Sequence, residues 1–357
     1  MRRSTLDPLL IQDQLDDNRR TVSFDSYDIT LKQLYDMLCQ GMIDIAPDYQ
    51  RHFVWDAKRQ SALIESLFLG IPVPSLFMAT NRDASWEVID GLQRLTTILN
   101  FIGKEEELKD TKVKFDPLTL KGLEKIDSMN NLMFSELPIS VQMMFLTRPL
   151  KITVLNDRSD FGVRYDLFER LNTGGVTLHE QEIRNCVYIG EFNDFLKSLA
   201  NDENFRAVVK MTERAERNAS YEELILKFFA YLQDTDLFDH SVKEFLNDFM
   251  LKKTQKFNDK KELKSIFHKT FDLLAEHLPM GIVRGQRVNI TPIVLYEAVS
   301  VGTAKAIESG QNIHPERLVT LLNDSQLKKF TTGATNSRKA LKTRLAIVKD
   351  ALTDAVD

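Results

Sequence analysis

Residues 86–99 read WEVIDGLQRLTTIL, and this stretch decides the fold of the first half of the chain. Val88 and Ile89 fit a short buried strand, and Gly91 permits an abrupt change of direction. From residue 95 onward the apolar residues recur at helical spacing on one face. The stretch therefore predicts a strand that turns directly into an amphipathic helix.

Polar side chains collect at this turn, where Asp90, Gln93 and Arg94 surround the predicted helix N-terminus. The free N–H groups and the positive dipole end of such a terminus attract anions, and the planar charge of Arg94 suits phosphate. The turn is therefore a candidate nucleotide site. Asp90 and Gln93 also fit a variant of the capping box, which explains both residues without a ligand. Both interpretations stay open at this point.

Two further polar clusters accompany the turn. Residues 47–55 read PDYQRHFVW, and residues 168–175 read FERLNTGG. Each cluster ends an apolar element, so we predict that all three converge on one cleft. The backbone of Gly174 and Gly175 suits an anion-binding nest, although a plain helix C-cap explains the pair equally well.

The three clusters in this order resemble the N-terminal domain of GmrSD-type modification-dependent restriction systems. This family is also called domain of unknown function 262 and lies in the wider ParB and sulfiredoxin-like group. Its motifs correspond here to residues 49–55, to LGIPVP at 69–74, to DGLQR at 90–94, to RLNTGG at 170–175 and to QEIR at 181–184. Leu92 departs from the pattern, because the family usually has a glutamine at that position.

The resemblance implies a site for a nucleoside triphosphate with Mg²⁺. Asp90, Gln93 and Arg94 would be the catalytic group, and Asp90 would also bind the metal. The residues expected to contact the nucleotide are Tyr49, Gln50, Arg51, Arg94, Asn172, Thr173 and Gly174.

The implied function is a nucleotide-binding or nucleotide-hydrolysing subunit of a phage-defence or modification-dependent DNA restriction system. The alternative is a sensor module for DNA or a partner that keeps the pocket without turnover, and Leu92 favours this alternative modestly. The expected partners are DNA, which can be modified, a nuclease or other defence subunit, and a second copy in a homo-oligomer.

Composition sets the outer bounds of the interpretation. The chain has 357 residues, of which 43% are hydrophobic and 28% are charged, as in ordinary globular proteins. Cys39 and Cys186 provide no disulfide framework, so we expect a cytoplasmic protein. No apolar run has the length of a membrane span, so no membrane association is expected. The net charge of −5 argues against a uniformly basic nucleic-acid surface.

The pattern of elements predicts an α+β protein with two domains. Residues 1–190 would form a small mixed ParB-like sheet with packed helices and an insertion near 103–148. Thr177 and Glu180 fit a capping box for the helix after the third cluster. Residues 191–357 would form an all-helical domain, because apolar residues recur there every three or four positions.

The helical half contains basic runs that suit DNA phosphates, although a solvated helix face is their usual meaning. The candidate nucleic-acid-binding residues are Lys252, Lys253, Lys256, Arg284, Arg287, Arg338 and Lys339. No Walker A motif occurs, which excludes ordinary P-loop chemistry. His240, Asn258 and His268 have the order of a His-Asn-His nuclease, but they lie in helical and charged sequence rather than in a hairpin. We therefore expect no nuclease activity from the isolated chain.

Overall fold

A computed structural model of the chain describes residues 23–45, 53–81, 83–108, 115–156, 161–171, 178–285, 289–333 and 335–353. Contacts within the chain group into two compact units, Met1–Thr177 and Leu178–Asp357. The predicted boundary near residue 190 stays a prediction. The predicted fold class is confirmed, because the first half contains a mixed sheet with helices and the second half is helical. None of the described helices is long and apolar enough to cross a membrane.

A five-stranded sheet forms the centre of the first unit. Its strands are β1 (Phe24–Thr30), β2 (Ile43–Asp44), β3 (Leu76–Thr80), β4 (Trp86–Asp90) and β5 (Pro149–Leu155). The order is β1-β5-β3-β4-β2, in which β5 is parallel to β3 and β2 is parallel to β4, while the other two pairs are antiparallel. Strands β1 and β2 are therefore the edges of the sheet among the strands that the structure describes.

The helices of this unit are α1 (Leu31–Cys39), α2 (Ala57–Leu69), α3 (Leu92–Ile102), α4 (Glu105–Leu108), α5 (Ile139–Leu146) and α6 (Phe161–Leu171). Helix α2 has a residue suited to capping at each end. The Asp56 carboxylate accepts from the Arg59 N–H at 2.8 Å, and Gly70 closes the helix in the left-handed conformation. Strand β4 delivers its last residue, Asp90, directly to the start of α3.

One apolar core joins the sheet to α1, α2, α3 and α5. Val88 of β4 and Leu95 of α3 are both buried in it. The segment between residues 115 and 148 contributes Leu120 and Phe145, both fully buried, to the same core. The predicted insertion is thus an integral part of the packing in its described portion.

The second unit contains only helices among its described elements. They are α7 (Glu180–Val187), α8 (Glu191–Leu199), α9 (Glu203–Val208), α10 (Glu213–Arg217), α11 (Ser220–Gln233), α12 (Val242–Gln255), α13 (Lys260–His277), α14 (Ile293–Glu308), α15 (Leu318–Leu321), α16 (Ser325–Phe330) and α17 (Arg338–Leu352). Four short 3₁₀ turns complete the two units, at Asp127–Met129, Phe134–Glu136, Thr235–Leu237 and Pro315–Arg317. Phenylalanine and tyrosine rings fill much of the core between α9, α11 and α13.

The start of α7 corrects one prediction from the sequence. The predicted capping box used Glu180, but the Glu182 carboxylate accepts from the His179 N–H at 2.7 Å. Glu180 instead pairs with Arg184 at 2.9 Å. The prediction was wrong because the helix begins at Glu180, so the third helical residue, which reaches back to the cap, is Glu182.

Candidate functional site

The turn between β4 and α3 requires glycine at residue 91. Gly91 has φ +102°, which residues with a side chain rarely adopt. A Cβ atom at this position would lie 2.3 Å from Cδ2 of Leu76, a residue of the buried core. The close approach of the turn to β3 therefore depends on the missing side chain. This turn holds Asp90 and Arg94 on the two sides of Gly91.

Arg94 is committed to bonds within the protein. Its guanidinium donates to the carbonyl oxygens of Pro74 and Ser75, the latter at 3.0 Å, and to Oδ2 of Asp90 at 2.7 Å. The side chain is 13% exposed, whereas that of Asp90 is 38% exposed. Asp90 is thus the more accessible member of the pair. Arg94 joins the Asp90 carboxylate to the extended segment that leads into β3.

Gln93 fixes the segment that follows the first polar cluster. Its Oε1 accepts from the N–H groups of Val54 and Trp55, at 3.0 and 3.2 Å. The other side of the segment is held by Gln60, whose amide donates to the Trp55 carbonyl at 3.0 Å. The guanidinium of Arg59 lies 4.7 Å from the centre of the Trp55 ring, which is within cation–π range. Residues 53–56 are therefore attached to the start of α3 through side chains.

The capping-box alternative for Asp90 and Gln93 is wrong. The N-cap of α3 is Gly91, and no side chain of the described residues caps the helix. Asp90 bonds to Arg94, and Gln93 bonds to Val54 and Trp55. The alternative fails because the strand continues through Asp90, which places the cap one residue later than the capping-box pattern requires.

Leu92 lies half-buried at the first helical position and packs against the apolar core. A leucine gains from this contact, because apolar area removed from water stabilises the fold. The departure from the family signature therefore has a packing explanation in this chain.

Several predicted site residues lie outside the described residues, so their convergence with Asp90 stays a prediction. They are Tyr49, Gln50, Arg51, Asn172, Thr173 and Gly174, together with Arg287 of the predicted nucleic-acid surface.

The remaining cations of the predicted nucleic-acid surface differ in their surroundings. Lys252 pairs with Asp234 at 2.7 Å, and Lys253 is buried against Asp259. Burial opposes ionisation of the Asp259 carboxyl, but hydrogen bonds from Lys253 and Gln233 lower its pKa below the usual value. Both lysines therefore have carboxylate partners within α12 and its neighbours.

Arg284 donates to the Leu322 carbonyl at 2.6 Å and to Oγ1 of Thr331 at 2.8 Å, and burial lowers its pKa. Arg338 donates to the Phe238 carbonyl at 2.5 Å. Lys256 and Lys339 are exposed and form no ion pair with the described residues. These two lysines are therefore exposed members of the predicted set whose charges are not paired within the described residues.

Gln60 and the carbonyls of Pro74 and Ser75 are site components that the sequence interpretation missed. Gln60 is buried on a helix face whose other members, apart from Ser61, are apolar. A polar residue within such an apolar stripe indicates a buried hydrogen bond, and this signal was available in the sequence. The two carbonyls carried no signal, because every residue has one.

The described residues contain no group of three or more histidine, cysteine, aspartate or glutamate side chains arranged to hold a metal ion. A cation at Asp90 would therefore have at most two ligands of these residue types among the described residues. Such a site suits Mg²⁺ bound with a nucleotide, because Mg²⁺ commonly takes one or two carboxylates together with phosphate oxygens and water.

Comparison with known proteins gives one match. Residues 31–189 match the family model described as GmrSD restriction endonuclease, N-terminal domain. No curated protein and no solved structure matches the chain.

Proposed function

We propose that residues 31–189, which match the N-terminal domain of GmrSD restriction endonuclease, belong to a component of a restriction system and bind a nucleoside triphosphate with Mg²⁺ at the β4–α3 turn. We propose further that nucleotide hydrolysis at this turn serves DNA restriction. The observation that carries the proposal is the uncapped N-terminus of α3 beside the exposed carboxylate of Asp90.

An uncapped helix start offers its first-turn N–H groups to an anion, and the helix dipole adds attraction. The Asp90 carboxylate next to it would repel a phosphate, since both groups are negative. A divalent cation between the two removes this conflict, because carboxylate and phosphate oxygens are both ligands that Mg²⁺ prefers. The turn therefore fits a metal–nucleotide complex better than it fits a free phosphate.

Arg94 has the role of a positioning residue in this proposal. It binds Oδ2 of Asp90, and Oδ1 receives no hydrogen bond from the described residues. A charge-assisted bond to one carboxylate oxygen fixes the orientation of the other. Asp90 would then present Oδ1 to the cation, and the cation would neutralise charge on the phosphates.

Arg51 is the proposed phosphate contact. Arg51 lies three residues before Val54 in the sequence, and three residues of extended chain span at most about 11 Å. Gln93 binds the Val54 N–H, so the described end of the first polar cluster, residues 53–55, lies near the start of α3. This bond supports the predicted convergence of the clusters. A side chain as long as arginine has the reach to contact a phosphate at the turn.

DNA and a nuclease subunit are the proposed partners, since the matched family is that of a restriction endonuclease and restriction cuts DNA. The helical unit would contact the DNA backbone. Lys256 and Lys339 are the first candidates for this contact, because both are exposed.

Isothermal titration calorimetry with the four nucleoside triphosphates, with and without Mg²⁺, tests the binding proposal. We expect Mg²⁺-dependent binding of at least one nucleotide. Asp90→Asn should weaken it by about tenfold to a hundredfold, because the charge is lost while an oxygen that can accept from Arg94 remains. Glu106→Gln, which removes an exposed charge from α4 of the same unit, is the matched control and should bind like the wild type.

A phosphate-release assay on the nucleotide that binds separates the two functions. Release that depends on Asp90 supports hydrolysis, whereas binding without release supports the sensor module. Equal affinity of wild type and Asp90→Asn for every nucleotide would refute the proposed site.

A further inference from the structure

Strand β1 is an edge of the sheet in the first unit among the strands that the structure describes. Its register with β5 pairs Phe24 with Leu155 and Thr30 with Pro149. One backbone hydrogen bond lies at each end of this ladder. The Leu31 N–H donates to the Arg148 carbonyl at 3.0 Å, and the Asn156 N–H donates to the Ser23 carbonyl at 2.9 Å. In an antiparallel pair these two bonds show that Asp25, Tyr27 and Ile29 direct their backbone groups toward β5.

The alternate residues Phe24, Ser26 and Asp28 therefore direct their N–H and C=O groups away from β5. No other described strand lies on that side. All three residues are exposed, and the Phe24 side chain is 59% exposed. An open edge of this kind is a template for a further strand.

The edge is acidic and already ordered. Asp25 and Asp28 are exposed and form no ion pair with the described residues; the exposed Lys151 of β5 faces Asp28 in the register, and Val154 faces Asp25. The Tyr27 ring stacks on Trp86 at a centroid distance of 5.4 Å, which anchors β1 to β4. An anchored strand loses little freedom when a partner binds, so less of the binding energy is consumed in ordering the strand.

We propose that this edge binds an extended basic segment of a partner protein, which adds a sixth strand beside β1. The bound segment carries two lysine or arginine residues three positions apart, opposite Asp25 and Asp28, and an apolar residue opposite Phe24. Opposite charges on facing strands attract, and the outward backbone groups supply the hydrogen bonds. A second copy of β1 is the poorer occupant, because it would bring four carboxylates to one edge. The proposal does not depend on nucleotide binding.

The probe is the synthetic peptide acetyl-Thr-Lys-Val-Thr-Lys-Val-Thr-amide, and the control peptide has glutamate in place of both lysines. Binding is measured by fluorescence anisotropy, and amide hydrogen exchange of the full chain is measured by NMR. We expect the basic peptide to bind at least about tenfold more tightly than the acidic one. Saturation should slow exchange of the Phe24, Ser26 and Asp28 amides, while the Asp25 and Tyr27 amides are already protected.

Ser26→Pro removes one outward N–H without touching the ladder to β5 and should weaken binding by about tenfold or more. Ser26→Thr keeps the N–H and is the matched control, with affinity within about twofold of wild type. Asp25→Asn with Asp28→Asn tests the charges without changing the backbone and should weaken binding at low salt. The proposal is overturned if the three outward amides gain no protection, or if both peptides bind equally. Dimerisation that Ser26→Pro abolishes would also overturn it, because the edge would then serve a second copy.

Discussion

At the scale of single residues, the structure gives different roles to the polar residues of the signature DGLQR at 90–94. Arg94 was expected to meet a phosphate, and its guanidinium is bonded to Asp90, Pro74 and Ser75. Gln93 holds the backbone of Val54 and Trp55. Gln93 and Arg94 of the signature thus stabilise the turn that carries Asp90.

Arg94→Ala should lower the free energy of unfolding by about 2–3 kcal/mol, because a partly buried guanidinium with three partners leaves two carbonyls and a carboxylate without their donor. Arg94→Lys should restore only part of the loss, since one ammonium does not reproduce the planar fork. Urea denaturation measures both changes.

Lys121→Ala is the control for Arg94→Ala, because Lys121 is exposed, and it should change stability by less than about 0.5 kcal/mol. If Arg94→Ala kept full stability and lost only nucleotide binding, the guanidinium would contact the ligand directly.

At the scale of elements, the β4–α3 turn is determined by one glycine and one neighbour. Gly91 needs both its left-handed backbone and the space that Leu76 leaves. Gly41, which follows α1, has φ +71°, but no atom lies within 4 Å of the place that a Cβ would take there. A substitution at Gly41 therefore introduces backbone strain alone, whereas a substitution at Gly91 introduces both strain and steric overlap.

Gly91→Ala should lower the free energy of unfolding by about 2–4 kcal/mol, because backbone strain and overlap with Leu76 add. Gly41→Ala should lower it by about 1 kcal/mol, from backbone strain alone. Thermal and urea unfolding measure the difference. In a Leu76→Ala background the cost of Gly91→Ala should fall by about 1 kcal/mol or more, since the overlapping side chain is gone. Equal losses of stability for the two variants would contradict the prediction, because they would show that β3 and α3 move apart to relieve the overlap at little cost.

At the scale of the whole molecule, the helical unit contains a row of buried charges. Arg184 lies 3.6 Å from Glu223, Lys227 lies 2.9 Å from Glu223 and 3.9 Å from Glu297, and Arg344 lies 2.6 Å from Glu297. The row connects α7, α11, α14 and α17. Burial raises the pKa of Glu297, and burial opposes ionisation of Glu223, but Lys227 and Arg184 lower the pKa of Glu223.

Glu297→Gln should destabilise the helical unit by about 3–5 kcal/mol, because it leaves the buried cation Arg344 without its partner charge and removes one of the two carboxylates beside the buried Lys227. Glu308→Gln makes the same change at the exposed end of the same helix and should alter stability by less than about 0.5 kcal/mol. Calorimetry measures the unfolding temperatures of both variants and of the wild type. Similar unfolding temperatures would show that the row contributes little to holding the four helices together.

The sequence by itself determined the order of elements, the turn at Gly91 and the helical second half, because these follow from local spacing and from the backbone freedom of glycine. It also carried the resemblance of the first region to the GmrSD N-terminal domain, since each motif is a continuous stretch of the chain. Only the tertiary structure decided which groups those residues meet. Arg94 meets carbonyls 19 and 20 positions earlier, and Gln93 meets amides 38 and 39 positions earlier. Lys253 is buried and Lys256, three residues later, is exposed, because the packing of α12 determines which positions face the core. Local patterns carry no information on such distant partners, whereas packing in three dimensions fixes them.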